Sequence, residues 1–384
     1  MGIYADYINK KYNWPQLEKE RKKQLKRITD IRKRAVLSYA GAYGKQADTS
    51  ISFNDRVPFF DQLSNIEGDE IDVIIETPGG SAEIVEDLIR VIRSKFSRVG
   101  MIIPGYAKSA GTIFVMSGDE ILMESSSALG PIDAQMVHPG KMPHSAHAFL
   151  EGFKNIKEEV TETGTLNRAY IPILQNISPA DIQACENAQD FSKDIVTKWL
   201  SNYKFKFWEK HSKTGKKVTK EEKQERAEEI AEILCNHKKW LSHGRSITIK
   251  DLRERMRLKI TDYCENEKLC DAIRRYYILL RMTFETTPIF KIIETPESQI
   301  YRHEITQQVT PKSPVSAIIN ITCSKCGKTS KIQANFKKGV PLDKQARPFP
   351  KDNKFICPKC GQEHDTIDIR REIESQTSKK ILEG

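Results

Sequence analysis

The 384-residue sequence has no run of 18 apolar residues, which excludes a transmembrane helix. Residues Met1 to Lys11 lack the apolar stretch of a secretory signal, so a cytoplasmic location is expected. No internal repeat occurs. No phosphate-binding G-x-x-x-x-G-K-[ST] loop is present either, so any ATP-driven unfolding requires a second chain. Hydrophobic residues make up 38% and charged residues 30%, a polar composition that still supports a buried core and argues against wholesale disorder.

Charge is plentiful and uneven. The formal net charge is +10. Residues 10–34 carry a net +8, residues 193–259 a net +9 and residues 311–360 a net +9, so everything else is at −16. Basic segments thus flank an acidic centre. That pattern suits either solvated helix faces or a polyanionic partner such as nucleic acid.

Four of the eight cysteines are paired, as Cys323-Ser-Lys-Cys326 and Cys357-Pro-Lys-Cys360. Two residues between sulfurs let both reach one metal, and four thiolates make a closed tetrahedral site that is structural rather than catalytic. With 30 residues between the pairs, the spacing indicates a zinc ribbon holding one structural Zn2+ per chain. His364 is an alternative ligand. Lys325, Lys328, Lys331, Lys337, Lys338, Lys351, Lys354 and Lys359 surround the ribbon, and Phe336, Phe349 and Phe355 are interleaved with them. Those rings either stack bases or form the module's own core. The remaining cysteines, Cys185, Cys235, Cys264 and Cys270, are scattered, and Cys185 fits a helix core position.

Residues 15–37 have helical texture. Ile71 to Glu76 is a short apolar run suited to a buried strand. Ser81 follows Thr77-Pro-Gly-Gly80 and can cap a helix reaching about Phe96. Further short strands are expected at 99–103, 120–123 and 128–132, with a helix between Ser109 and Gly118. Strands alternating with helices indicate a largely parallel sheet with right-handed crossovers. From about 147 to 282 the pattern is mainly helical. Tyr203 to Trp208 alternates aromatic and basic residues, as an edge strand or subunit-packing surface does.

Ser109 stands between a strand and a helix, followed by the small residues Ala110 and Gly111. A sharp strand-to-helix turn lifts a hydroxyl out of the sheet and sets it beside free N–H groups. Gly79-Gly80, at the end of the preceding strand, is suited to an oxyanion hole. The same residues also serve as two helix caps with glycine turns.

Four segments together resemble the Clp-fold serine proteases, and most closely the serine dehydrogenase proteinase family. They are Thr77-Pro-Gly-Gly-Ser81, Gly105-Tyr-Ala-Lys-Ser-Ala-Gly-Thr112, Ser117-Gly-Asp-Glu-Ile-Leu-Met123 and Leu129-Gly-Pro-Ile-Asp-Ala-Gln135. The match is close over 70–135 and looser, through Trp240-Leu-Ser-His-Gly-Arg-Ser-Ile247, to about 290. The resemblance implies an α/β, Clp/crotonase-like spiral core and a serine peptidase acting through an acyl-enzyme on peptide or protein substrates. It makes Ser109 the nucleophile, with Gly80 and Ala110 as oxyanion donors. The histidine of the Clp peptidase has no counterpart here, and Asp133 stands in its place. With the family's order of Ser, Asp and His, Asp133 is the acid and His243 the base. His138 and, by analogy with signal peptide peptidase A, Lys154 or Lys157 are the alternatives. Ring-forming relatives imply a homo-oligomer. Two rival readings remain: a coenzyme A thioester enzyme on the same fold, and a degenerate scaffold binding nucleic acid or a partner protein through the ribbon and basic helices.

The expected organisation is a basic N-terminal helix (1–44), a catalytic core (45–146), a helical region completing the protease (147–290), a connector (291–316), the ribbon (317–370) and a tail (371–384).

Overall fold

A computed structural model describes residues 2–45, 47–136, 144–211, 213–304, 315–377 and 379–382. It divides into two compact units, Met1–Glu304 and Ile305–Gly384.

In the first unit, helices α1 (Ile3–Asn9) and α2 (Trp14–Arg32) lead into strand β1 (Ala35–Gly41) and helix α3 (Arg56–Ser64). There follow β2 (Glu70–Glu76), α4 (Ala82–Lys95), β3 (Arg98–Ile103), β4 (Tyr106–Ala107), α5 (Ala110–Met116), β5 (Glu120–Met123) and β6 (Ala128–Leu129). A hairpin of β7 (Gln135–Met136) and β8 (His144–Ser145) opens the helical region. That region holds α6 (Ala146–Thr163), α7 (Ile171–Leu174), α8 (Pro179–Trp199), α9 (Lys220–Cys235) and α10 (His237–Trp240). Then come β9 (Ile247–Thr248), β10 (Thr261–Asp262), α11 (Glu267–Thr286), β11 (Ile289–Glu294) and β12 (Gln299–His303).

Among the described residues the central sheet runs β10-β5-β3-β2-β1-β11-β12. The first five strands are parallel and the last two antiparallel. Both faces are covered, so the strands read as apolar runs. In β2, Ile71, Val73 and Ile75 join one core with α3, α4 and α5, while Ile74 joins the other with α2 and α11. The period of two also sends Asp72 and Glu76 to the α2/α11 side, where both are buried. Arg32 pairs with Asp72 at 2.7 Å.

Asn13 caps α2 with a reciprocal bond to Gln16, and Pro15 suits the first turn. Leu17, Arg21, Leu25 and Ile28 form its buried stripe. Arg21 tolerates burial because Glu294 Oε1, Thr283 Oγ1 and Tyr301 OH accept from it at 2.9, 2.6 and 2.7 Å.

Several sequence expectations need correction. The helix expected over 15–37 ends at Arg32, and Ala35–Gly41 is the strand next to β2 in the sheet, so 1–44 is not a separate helical segment. The connector expected over 291–316 is, as far as His303, strand: β11 pairs with β1 and β12 with β11. Residues 305–314 of that span lie outside the described residues. Tyr203–Trp208 is not a strand but a wide helical turn and its exit, with Phe205 against Trp208 and Arg93 over Tyr203. Cys264 and Cys270 are joined in a disulfide rather than scattered. Cys185 is buried on α8, as expected.

The second unit contains β13 (Ser316–Thr322), β14 (Thr329–Asn335), β15 (Ala346–Pro348), β16 (Lys354–Ile356), β17 (Glu363–Asp365) and α12 (Ile367–Thr377). Phe336, Phe349 and Phe355 are buried there with Ile321, Ile332 and Ile381. The rings are core, so they present no stacking platform. The expected tail at 371–384 is likewise structural: it finishes α12, buries Ile381 and bonds Leu382 to Asn335.

Candidate active site and metal centre

Ser109 joins β4 to α5 with φ 51° and ψ −120°, an unfavoured conformation for a side chain with a Cβ. Such strain costs about 1–3 kcal/mol and persists only where neighbours enforce it. Here they do. Thr77 N–H donates to Tyr106 O at 2.9 Å, and Lys108 N–H donates to Thr77 O at 3.1 Å. The Gly130 N–H donates to Thr112 Oγ1 at 2.9 Å, which fixes the first turn of α5.

The glycine loop lies against this elbow. A Cβ on Gly79 would stand 2.8 Å from Ser109 Cβ, and one on Gly80 would stand 2.3 Å from Ile51 O. Both glycines also have positive φ, 116° and 141°. Ile51 N–H donates to Gly79 O and Ser81 N–H donates to Ile51 O, so the Gly80 N–H points away from Ile51. Among the described residues neither the Gly80 nor the Ala110 N–H has an acceptor.

Asp133 and His243 come together across 110 residues. Asp133 is fully buried, and its Oδ1 lies 2.8 Å from His243 Nδ1. A small sheet, β4-β6-β9, brings them there. β6 and β9 are antiparallel, with Ala128 opposite Thr248 and Leu129 opposite Ile247. The pairing stops there, four residues short of Asp133 on one strand and of His243 on the other. β4 lies parallel on the other side of β6, with Ala107 beside Leu129. Ser109, Asp133 and His243 are thus each carried a few residues beyond a strand of one sheet. Nothing in the sequence announces the two-residue β9. Its pairing with β6, not helical periodicity, sets the histidine. With Nδ1–H donating to Asp133, the imidazole Nε2 is left as the basic nitrogen.

Lys154 is 70% exposed and pairs with Glu158 at 3.5 Å. Lys157 is exposed as well. His138 lies outside the described residues.

A carboxyl that the sequence did not single out joins the two loops. Glu76 Oε2 accepts from Tyr106 N–H at 2.7 Å, and Tyr277 OH donates to Oε1 at 3.3 Å. Burial raises Glu76 from 4.5 to about 7, against the opposing pull of Tyr106, Arg281 and Tyr277. The folded chain therefore holds this proton more tightly than the unfolded chain. Ionising it removes stability, beginning as pH rises past 4.5 and ending above about 7. Glu76→Gln should stabilise the protein by about 3 kcal/mol at pH 8 and by almost nothing at pH 4. Urea titrations at the two pH values check this. An equal effect at both would contradict it.

In the second unit, Cys323 and Cys326 lie between β13 and β14, and Cys357 and Cys360 between β16 and β17. The two turns repeat each other. Gly327 N–H bonds Cys323 O as Gly361 N–H bonds Cys357 O. All four sulfurs lie within 4.8 Å of one another. Cys323–Cys360 and Cys326–Cys357 are separated by 3.6 and 3.7 Å. Those spacings are too long for disulfides. They match the edge of about 3.8 Å required by a tetrahedron with sulfurs about 2.3 Å from a central metal. The group therefore fits a metal ion. His364 is outside this group.

Two uncharacterized proteins of Methanocaldococcus jannaschii are similar to the chain. One is 35% identical over 92 residues, covering 24% of this chain and 30% of its own length. The other is 27% identical over 130 residues, covering 32% and 46%. The chain thus spans about a third to a half of the length of these curated relatives. Among solved structures, a mutant of a membrane-bound stomatin-specific protease is 21% identical, covering 30% of this chain and 60% of that one, at a TM-score of 0.22. No helix among the described residues is long and apolar enough to cross a membrane. A family model described as ClpP-like SDH-type serine proteinase matches residues 7–203, a span that includes the glycine loop, the serine elbow and Asp133 and stops short of His243. With just over half of its length matched, and with a mixed α/β core built around that elbow, the chain belongs to the ClpP-like SDH-type serine proteinase family.

Proposed function

We propose that the chain is a serine peptidase that hydrolyses peptide bonds through an acyl-enzyme on Ser109. What supports this reading is the 2.8 Å bond between His243 and Asp133, together with a small sheet whose strand β4 leads into the Ser109 elbow. His243 Nε2 takes the serine proton as the hydroxyl attacks the peptide carbonyl. Asp133 accepts from Nδ1–H and stabilises the imidazolium that forms. The N–H groups of Gly80 and Ala110 receive the oxyanion. The imidazolium then protonates the leaving amine. Water, deprotonated by the same nitrogen, cleaves the ester and restores the serine.

Four thiolates in a closed arrangement suit one Zn2+ per chain with a structural role.

A fluorophosphonate probe tests the peptidase reading, because only an activated serine reacts with it. Labelling should map to Ser109, disappear in His243→Ala and persist in Lys154→Ala. Undiminished labelling in His243→Ala would remove His243 as the base.

Assembly into a homo-oligomer belongs to the same reading. Its support is the arm from α6 to α8, where Leu166, Ile171 and Ile173 are 42, 41 and 51% exposed. Light scattering at micromolar concentration should give a mass above the monomer's, and Ile171→Asp with Ile173→Asp should lower it. A monomeric wild type with full activity would contradict assembly.

A further inference from the structure

The residue before the candidate nucleophile carries an ammonium for which the mechanism above has no use. Lys108 is buried, and its Nζ lies 5.5 Å from the centre of the Tyr106 ring. The Nζ donates to Leu129 O at 3.0 Å, to Ser246 Oγ at 3.0 Å and to Arg245 O at 3.3 Å. An ammonium has three N–H bonds, and all three are used. Leu129 ends β6, four residues before Asp133. Arg245 and Ser246 lie two and three residues beyond His243.

The segment around His243 has little else to hold it. Leu241, Ser242, Gly244, Arg245 and Ser246 are all exposed. The first buried apolar side chain beyond the histidine is Ile247, and β9 is two residues long. Between the buried Trp240 and Ile247 the loop has no buried apolar side chain of its own, and such a stretch opens more readily than the core that flanks it. The bond from His243 to Asp133 alone leaves the ring free to swing with that loop.

We propose that Lys108 is a positioning residue for the peptidase reaction, its ammonium fastening the His243 loop to the Asp133 strand at the neck of the Ser109 elbow. The proposal rests on the peptidase reading. One side chain thereby ties together the three segments that carry serine, acid and base. The bonds reach main-chain and hydroxyl oxygens, not carboxylates, and among the described residues no acidic group pairs with Lys108. The groups facing the ammonium are the Tyr106 ring of β4, the β6 carbonyl and the Arg245–Ser246 segment. Burial accordingly lowers Lys108 from 10.5 to about 8. Deprotonation leaves an amine with two donors for three acceptors, so the clasp loosens as pH rises through that value.

Lys108→Met keeps the aliphatic stem and removes the donors. For a peptide substrate, kcat should fall by about tenfold to a hundredfold with KM within about twofold, because a misplaced base slows chemistry rather than binding. Amide exchange in 241–246 should quicken. The wild-type loss of kcat above about pH 8 should be absent from the variant's profile. Ser246→Ala removes one acceptor alone and should move the same quantities less, which covers the case in which Lys108→Met does not fold. Unchanged exchange in both variants, or a loss confined to KM, would overturn the proposal. Hydrogen exchange also separates the two readings. If wild type lacks probe reactivity but Lys108→Met still frees 241–246, the peptidase reading and the positioning role fall, and only a structural clasp remains.

Discussion

Ser109→Ala is expected to lower peptide turnover by about 10⁴- to 10⁶-fold while leaving the fold intact. The loss is large because alanine has no atom that can form the acyl-enzyme. What survives is water attack helped by the oxyanion N–H groups. His243→Ala and Asp133→Asn should fall in the same range or somewhat above it in residual rate. The double variant Ser109→Ala with His243→Ala should be no slower than the first alone, since the base has no proton left to take. Stability should change by no more than about 0.5 kcal/mol, because the Ser109 side chain caps nothing in α5. Steady-state kinetics and urea unfolding measure the two quantities. Additive losses in the double variant would mean that serine and histidine act independently, and the triad assignment would fail.

Cys323→Ser, or removal of the ion by a strong chelator, is expected to unfold the second unit and leave the first folded. The second unit's core is small: Ile321, Ile332, Ala334, Phe336, Phe349, Phe355 and Ile381. So few apolar side chains do not offset the entropy of ordering the chain around them. Binding of a structural Zn2+ contributes about 10–16 kcal/mol in comparable small modules, and that energy is the folding energy. Elemental analysis should give one zinc per chain, and amide protection across β13 and β14 should vanish with the metal. Protection that survives complete chelation would show that the ribbon's core folds unaided.

The parts legible in the sequence are those whose signals are local. The apolar run of β2, the Ser81 cap and the serine elbow each sit within a few residues of what determines them. Ser81 Oγ accepts from Ile84 N–H, as the cap motif requires. The knuckle cysteines are legible for the same reason. Elements created by distant pairing were hidden. Ala35–Gly41 follows a basic helix without a break and becomes a strand because β2 and β11 flank it. Residues 284–316 look like a connector because Pro288, Pro296, Pro311 and Pro314 break them. The second proline instead lies in the turn between β11 and the edge strand β12, where a missing donor costs nothing. His243 stands out in the sequence by motif alone, and its approach to Asp133 depends on the pairing of β6 with β9, which no local pattern encodes.

The buried pair of Arg21 and Glu294 has a consequence for biosynthesis. The two residues are 273 apart in the chain, and both side chains are shielded from water. A ribosome adding about 5–20 residues each second needs about 14 to 55 seconds to travel between them. Throughout that interval the guanidinium lacks its native partner Glu294, and β1 lacks its β11 neighbour. The first unit therefore closes only after its last strands emerge, and nascent chains stopped before Glu294 would leave an open sheet edge exposed to aggregation or to chaperones.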